Sequence, residues 1–442
     1  MSTRTFALSG GLVAGMRAVT RADVLVIDGV IAEVGADVAI PRGATVLDTT
    51  GCVVGPGLVD LHTHLREPGN EEAETIETAS RAAALGGYTA IVAMPNTEPA
   101  CDTASVVADV LARGRSASCE VAVAGAITVG REGRALAPMA EMAELGVTLF
   151  TDDGACVHDG DVMRRALEYA KGLSVTCAQH CEDPALAAGG VMHEGRWSSM
   201  LGLAGQPTLA ETVIVARDLG LVELTGAPLH FLHLSAPESV RLVAAARDRG
   251  LPVTCEAAPH HFTLDDSQCV TYDPRFKVNP PLRPTALVKE LIELLRAGAI
   301  DAVATDHAPH ASERKDVPFD EASPGMLGLQ HAAGLTVEAL GGTEERDLLA
   351  LFELLSRSPA AIAKLRDADE RRSGHSAQGG GVTVGEAANL CAIDLAAPMV
   401  VTEASIASRS KNSPYVGRTL PVSVRHTLLR GIPTVLDGTA VR

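Results

Sequence analysis

A chain of 442 residues with 46% hydrophobic and 21% charged side chains can bury a large core. At about 150 residues per domain it has room for roughly three domains, or for one α/β barrel with a small companion. Its 37 basic against 55 acidic groups leave a net charge of -18, and only 3% of residues are aromatic. That balance disfavours a nucleic-acid surface or an anionic membrane, and an anionic substrate would need a local positive site. Nine scattered cysteines without a C-x-x-C pair argue against a disulfide framework and for a reducing, cytoplasmic compartment. No stretch approaches the ~18 apolar residues of a membrane span.

The first segment, residues 1–56, alternates around Asp28-Gly29 in RADVLVIDGVIAEVG, a two-residue hairpin signal. From about residue 50 onward eight short apolar runs alternate with Ala/Leu/Glu/Arg-rich helical stretches: CVVGPGLVDL, YTAIVAM, CEVAVAGAI, VTLF, LSVTCA, PLHFLHL, LPVTCEA and IDAVAT. Glycines at 86, 114, 146, 172, 220, 250 and 298 fall where those helices should stop. The pattern predicts an α/β fold, a (β/α)8 TIM-like barrel over residues 57–366. A polar, glycine-rich stretch, 367–381, reads as a flexible linker. Strand-turn-strand patterns in 382–442 are expected to join 1–56 in one small β-sandwich domain.

In such a barrel the site lies just beyond the strands' C-terminal ends. The residues there are His62 and His64 after run one, Asp152 and Asp153 after run four, His180 after run five, His233 after run six, and Asp306 and His307 after run eight. Alternation along a strand puts His62 and His64 on one face. A lone histidine at a strand end is more often a hydrogen-bonded structural residue than a ligand, but so many at the ends of one barrel are hard to explain as packing. Nitrogen and oxygen donors of this kind suit one or two zinc ions better than Mg²⁺ or Ca²⁺. Cys177 and Cys181, flanking His180 in CAQHCED, are expected to be buried thiols and not ligands.

Taken in order, DLHTHLREPG, FTDDG, HCED, HLS and ATDHAPH, with MPNT, VNPPLR and PGMLG, resemble the amidohydrolase superfamily and closely the type I bacterial dihydroorotases. The resemblance implies reversible, two-zinc hydrolysis of the cyclic amide of dihydroorotate to N-carbamoyl-aspartate, in pyrimidine biosynthesis. It implies His62 and His64 on one zinc, His180 and His233 on the other, Asp153 as the bridge where many relatives carry a modified lysine, and Asp306 as ligand and catalytic base. It further implies that Arg66, Asn96 and His310 hold the substrate carboxylate, that Asn279 meets the ring, and that Pro324 and Gly325 close over it. Loop 308–326 is expected to act as a lid. A homodimer and a complex with aspartate transcarbamoylase are the partners it suggests. The rival readings are a hydantoinase or allantoinase, for which Arg66 has no carboxylate to hold, and a silent partner subunit of aspartate transcarbamoylase.

Overall fold

Each of the eight apolar runs supplies a parallel strand, and a helix follows each one. The strands are β1 (Leu58–Thr63), β2 (Tyr88–Ala93), β3 (Glu120–Val123), β4 (Leu149–Phe150), β5 (Thr176–Gln179), β6 (Leu229–Phe231), β7 (Val253–Ala257) and β8 (Ala302–Val303). The computed structural model describes residues 4–366 and 375–442. Strands β1–β3 pair in one sheet and β4–β8 in another. Single parallel bridges join the two at both edges, Gly125 with Phe150 beyond β3 and Thr63 with His307 beyond β8. The pairing therefore returns to the strand on which it began.

Both faces of these strands are covered, so their sequences read as continuous apolar runs without polar alternation. One set of positions, mostly small, forms a single cluster: Val59, Leu61, Ala90, Val92, Ala124, Ala178, Ala302 and Ala304. Another set, including Ile91, Val121, Phe150, Phe231 and Cys255, packs with the helices. Cys177 and Cys181 belong to that second cluster, and all nine cysteines are unpaired. Among the described residues no helix is long and apolar enough to cross a membrane.

The helix Gly160–Leu173 shows how the outer elements attach. Asp159 caps it, accepting from the Asp161 and Val162 amides at 2.8 and 3.0 Å. Met163, Ala166, Leu167 and Ala170 recur at helical spacing on its buried side. Burying a side chain such as Leu167 stabilises by about 1.5–3 kcal/mol.

Three of the expected helix-ending glycines, Gly146, Gly250 and Gly298, are left-handed, with φ of 95°, 87° and 73°. Gly220 is a correction: it lies inside the helix Leu209–Thr225, which continues to Gly226 at φ 63°. The segment LGLVELTG offers two glycines, and it is the second whose N–H reaches back to the Val222 carbonyl, at 2.7 Å.

The first apolar run also divides. Cys52–Pro56 is a strand of its own, separated from β1 by Gly57, where a Cβ would stand 2.2 Å from the Thr89 hydroxyl oxygen. Cys52–Pro56 enters a seven-stranded sheet made from both chain ends, between Leu390–Asp394 and Leu12–Ala14. A four-stranded sheet holds the hairpin of Asp23–Ile27 and Val30–Gly35, with Asp28 and Gly29 at φ 48° and 86° as that tight turn requires. Leu8, Val24, Val26 and Ile31 of the second sheet share an apolar cluster with Val13, Val54, Leu390 and Leu428 of the first.

The expected flexible linker, 367–381, lies outside the described residues over 367–374. Over 375–381 the expectation needs correction. Ser376 and Gln378 are buried and bind the carboxylate of Glu120, through the Ser376 hydroxyl at 2.8 Å and the Gln378 amide at 2.9 Å. A polar composition that reads as solvated is here matched to a buried acceptor.

Candidate metal centre

The ends of β1, β4, β5, β6 and β8 bring His62, His64, Asp153, His180, His233 and Asp306 together. Asp153 stands at the middle with each oxygen turned to a different histidine pair. Its Oδ2 lies 3.1 Å from His62 Nε2 and 3.4 Å from His64 Nε2. Its Oδ1 lies 3.4 Å from His180 Nδ1 and from His233 Nε2. Two ligand triads sharing Asp153 result, each with its donor atoms within 4.8 Å of one another. Asp306 Oδ1 is 3.1 Å from His64 Nε2 and 3.6 Å from His62 Nε2. Asp152, the other member of the adjacent pair, is engaged elsewhere and accepts the Thr128 N–H at 2.9 Å.

The ring tautomers follow from the partners behind them. His62 Nδ1 donates to Glu256 Oε1 at 3.0 Å, and His64 Nδ1 donates to Asn96 Oδ1 at 2.8 Å. Each ring therefore turns its Nε2 toward Asp153, the arrangement by which an outer carboxylate or carbonyl orients a metal-binding imidazole. His62 Nε2 is buried and makes no hydrogen bond, because Asp153 is close but poorly aligned. Burial opposes charge on His62, yet the Asp153 and Glu256 carboxylates raise its pKa well above the ordinary value. Burial likewise opposes charge on Asp153, but the His62 charge and hydrogen bonds from His180 and His233 hold it well below the usual carboxylate range. Four imidazoles and two carboxylates, with His62 Nε2 left without a hydrogen bond, form a donor set that fits divalent cations.

A cavity of about 260 Å³ opens onto this cluster. The site residues implied by the resemblance all line it except His62, which lies fully buried beneath, while His307 turns to Glu74 at 3.4 Å. Arg66 Nε donates to the Pro309 carbonyl at 3.0 Å, and its Nη2 lies 3.5 Å from His310 Nε2. Burial lowers the Arg66 guanidinium to about 10, so it remains charged at neutral pH. Burial and the Arg66 charge push His310 down to about 3, and the neutral ring donates from Nε2 to the Pro324 carbonyl at 2.8 Å. That bond ties the start of loop 308–326 to its end. Asn412 adds further ties, donating from Nδ2 to the Ala308 and Gly325 carbonyls at 3.0 and 3.1 Å.

Arg66, Arg131, His233 and Asp306 have φ of 61°, 59°, 30° and 45°. Left-handed backbone at a non-glycine residue costs of order 1–3 kcal/mol and concentrates where function requires a particular aim. The sequence reading missed Glu256, Arg131 and Asn412. Glu256 left a signal, a charge in the middle of the apolar run LPVTCEA; the other two left none.

A parallel α/β scaffold with two histidine pairs around one carboxylate at its strand ends defines a class of proteins able to hold metal ions there. The comparisons narrow it. Residues 51–239 match the family described as Dihydro-orotase-like. The chain is 48% identical over 421 residues to the dihydroorotase of Mycobacterium tuberculosis, covering 95% of this chain and 96% of that one. It is 47% identical over 419 residues to that of Streptomyces coelicolor, covering 94% and 95%. The chain belongs to the dihydroorotase family. Among solved structures, the L-hydantoinase (dihydropyrimidinase) from Arthrobacter aurescens superposes with a TM-score of 0.86 at 24% identity, covering 99% of this chain and 97% of that one. The dihydropyrimidinase from Brevibacillus agri gives 0.82 at 23%, covering 99% and 96%. Both share the fold.

Proposed function

We propose that this chain is a dihydroorotase, hydrolysing the ring amide of (S)-dihydroorotate to N-carbamoyl-L-aspartate and catalysing the reverse cyclisation. The carrying observation is the buried Arg66 guanidinium beside His310 and Asn96, facing the same cavity as the histidine–aspartate cluster. A ring carboxylate is what a planar fork of donors suits. Hydantoin and allantoin would leave it without a partner.

Two zinc ions are the proposed cofactor, one held by His62, His64 and Asp306, the other by His180 and His233, with Asp153 between them. When bound, they supply Lewis acidity to the attacking water and to the ring carbonyl. Arg66, Asn96 and His310 fix the carboxylate, Asn279 meets the ring, and Pro324 and Gly325 cover it. This orientation turns attack on the amide into a step within one complex. Asp306 accepts the proton of the attacking water and returns it to the ring nitrogen as the carbon–nitrogen bond breaks. Burial opposes its charge, but hydrogen bonding from His64 and the nearby imidazoles keep its pKa low, so the carboxylate is ionised.

The scaffold is proposed as a (β/α)8 barrel, residues 57–366, supported by pairing that returns to β1. Residues 1–56 and 382–442 are proposed as one β-sandwich domain, supported by the apolar cluster its two sheets share. A cytoplasmic homodimer, able to associate with aspartate transcarbamoylase, is the proposed working form. Kinetics with dihydroorotate, hydantoin and allantoin test the reading. A clear preference for dihydroorotate is expected, and turnover of hydantoin at a higher kcat/KM would refute it.

A further inference from the structure

We propose that Arg131 is a second guanidinium of the substrate pocket, one that makes the site favour the ring-opened dianion over the cyclic monoanion. This rests on the dihydroorotase reading. Arg131 lines the same cavity as Arg66 and Asn96. Its Nη2 donates to the Asp153 carbonyl at 2.8 Å. Gly154 leaves room for it: a Cβ there would lie 3.3 Å from Arg131 Nη2 and 3.8 Å from Asn96 Nδ2. The guanidinium thus stands beside an amide already assigned to the substrate carboxylate.

Two observations argue against a purely structural role for Arg131. Its Nε is buried with no hydrogen-bond partner, and among the described residues no carboxylate lies within ion-pair distance of it. The backbone nonetheless holds it in a left-handed conformation, next to Gly130 at φ 60°. A guanidinium held at a cavity wall with a buried, unpaired donor and no carboxylate beside it is costly, and an anion in the cavity offsets that cost. In a chain of net charge -18, a fixed cation at that wall is also the local positive site an anion needs.

Charge balance indicates which anion gains most. Cleavage adds water across the ring carbon–nitrogen bond, turning a monoanion into a dianion and releasing one proton. Arg66 serves the carboxylate that both compounds carry. The second carboxylate exists only after opening, and Coulomb attraction to a fixed cation grows with ligand charge.

The test is steady-state kinetics in both directions on the metal-loaded wild type, Arg131→Gln and Arg131→Lys, with metal content measured on each. Arg131→Gln is expected to raise KM for carbamoyl-aspartate about tenfold and for dihydroorotate by less, with kcat within about twofold and metal content unchanged. Arg131→Lys, which keeps the charge without the fork, is expected to recover part of the carbamoyl-aspartate KM. Unchanged KM in both directions would overturn the proposal, as would an equal rise in both. So would metal loss in both variants without rescue by lysine, which would make Arg131 an anchor for Asp153. Wild type that turns over neither compound would overturn the dihydroorotase reading itself, an outcome the variants cannot mimic.

Discussion

The two histidine pairs around Asp153 share that carboxylate but are not built alike. On the His62/His64 side each ring has its Nδ1 bound from behind, by Glu256 and Asn96, so each Nε2 is aimed before any ion arrives. On the other side His180 Nδ1 and His233 Nε2 lie 3.0 Å from each other, and His233 Nδ1 is buried without a partner. Glu256 Oε1 reaches across to accept the His233 backbone N–H at 3.3 Å, the main chain but not the ring. Preorganised ligands lose less freedom on binding, so the first half should hold its ion more tightly.

The largest expected effect comes from removing what the halves share. Asp153→Ala should empty both positions and bring activity to background, as metal analysis beside an assay would report; retention of two ions would break the comparison at its root. Asp306→Asn should lower kcat by about 10²–10⁴-fold, the range for loss of a general base, with the His180/His233 side still loaded. Glu256→Gln should weaken metal affinity by about 10–100-fold, measured by competition with a chelator, because its support lies behind His62. In the wild type, graded chelation should release metal in two phases, the His180/His233 side first. Release in a single phase would show that the difference in support is without consequence. Smallest is a change away from the site: Gly57→Ala should destabilise by about 1–3 kcal/mol through overpacking against the fully buried Thr89, read from the shift in Tm.

The two histidine pairs were equally visible in the sequence, because candidate ligands at strand ends are marked by residue type and by position after an apolar run. Their supports were much less so. Glu256 sits in β7, and nothing local shows that its side chain meets His62 from β1 and His230 from β6, at 3.0 Å each. Arg131 ends a short 3-10 turn, Val129–Arg131, whose aim depends on two consecutive left-handed residues. The eight strands were legible because burial on both faces demands long apolar runs. The division at Gly57 was not, because one such run can supply two strands to two different sheets. Ser376 and Gln378 misled for the opposite reason, since polarity does not distinguish a solvated side chain from one matched to Glu120.

That division has a consequence for how the protein is made. Cys52–Pro56 leaves the ribosome early and pairs with Leu390–Asp394, which emerges only when most of the chain has been synthesised. Until then the strand has one lateral neighbour, Leu12–Ala14, and an open edge. The nascent N-terminal sheet must wait for its other half while the segments of β1–β8 are completed between them. Chaperone dependence and misfolding of truncated chains should therefore concentrate at this strand and not at the metal site.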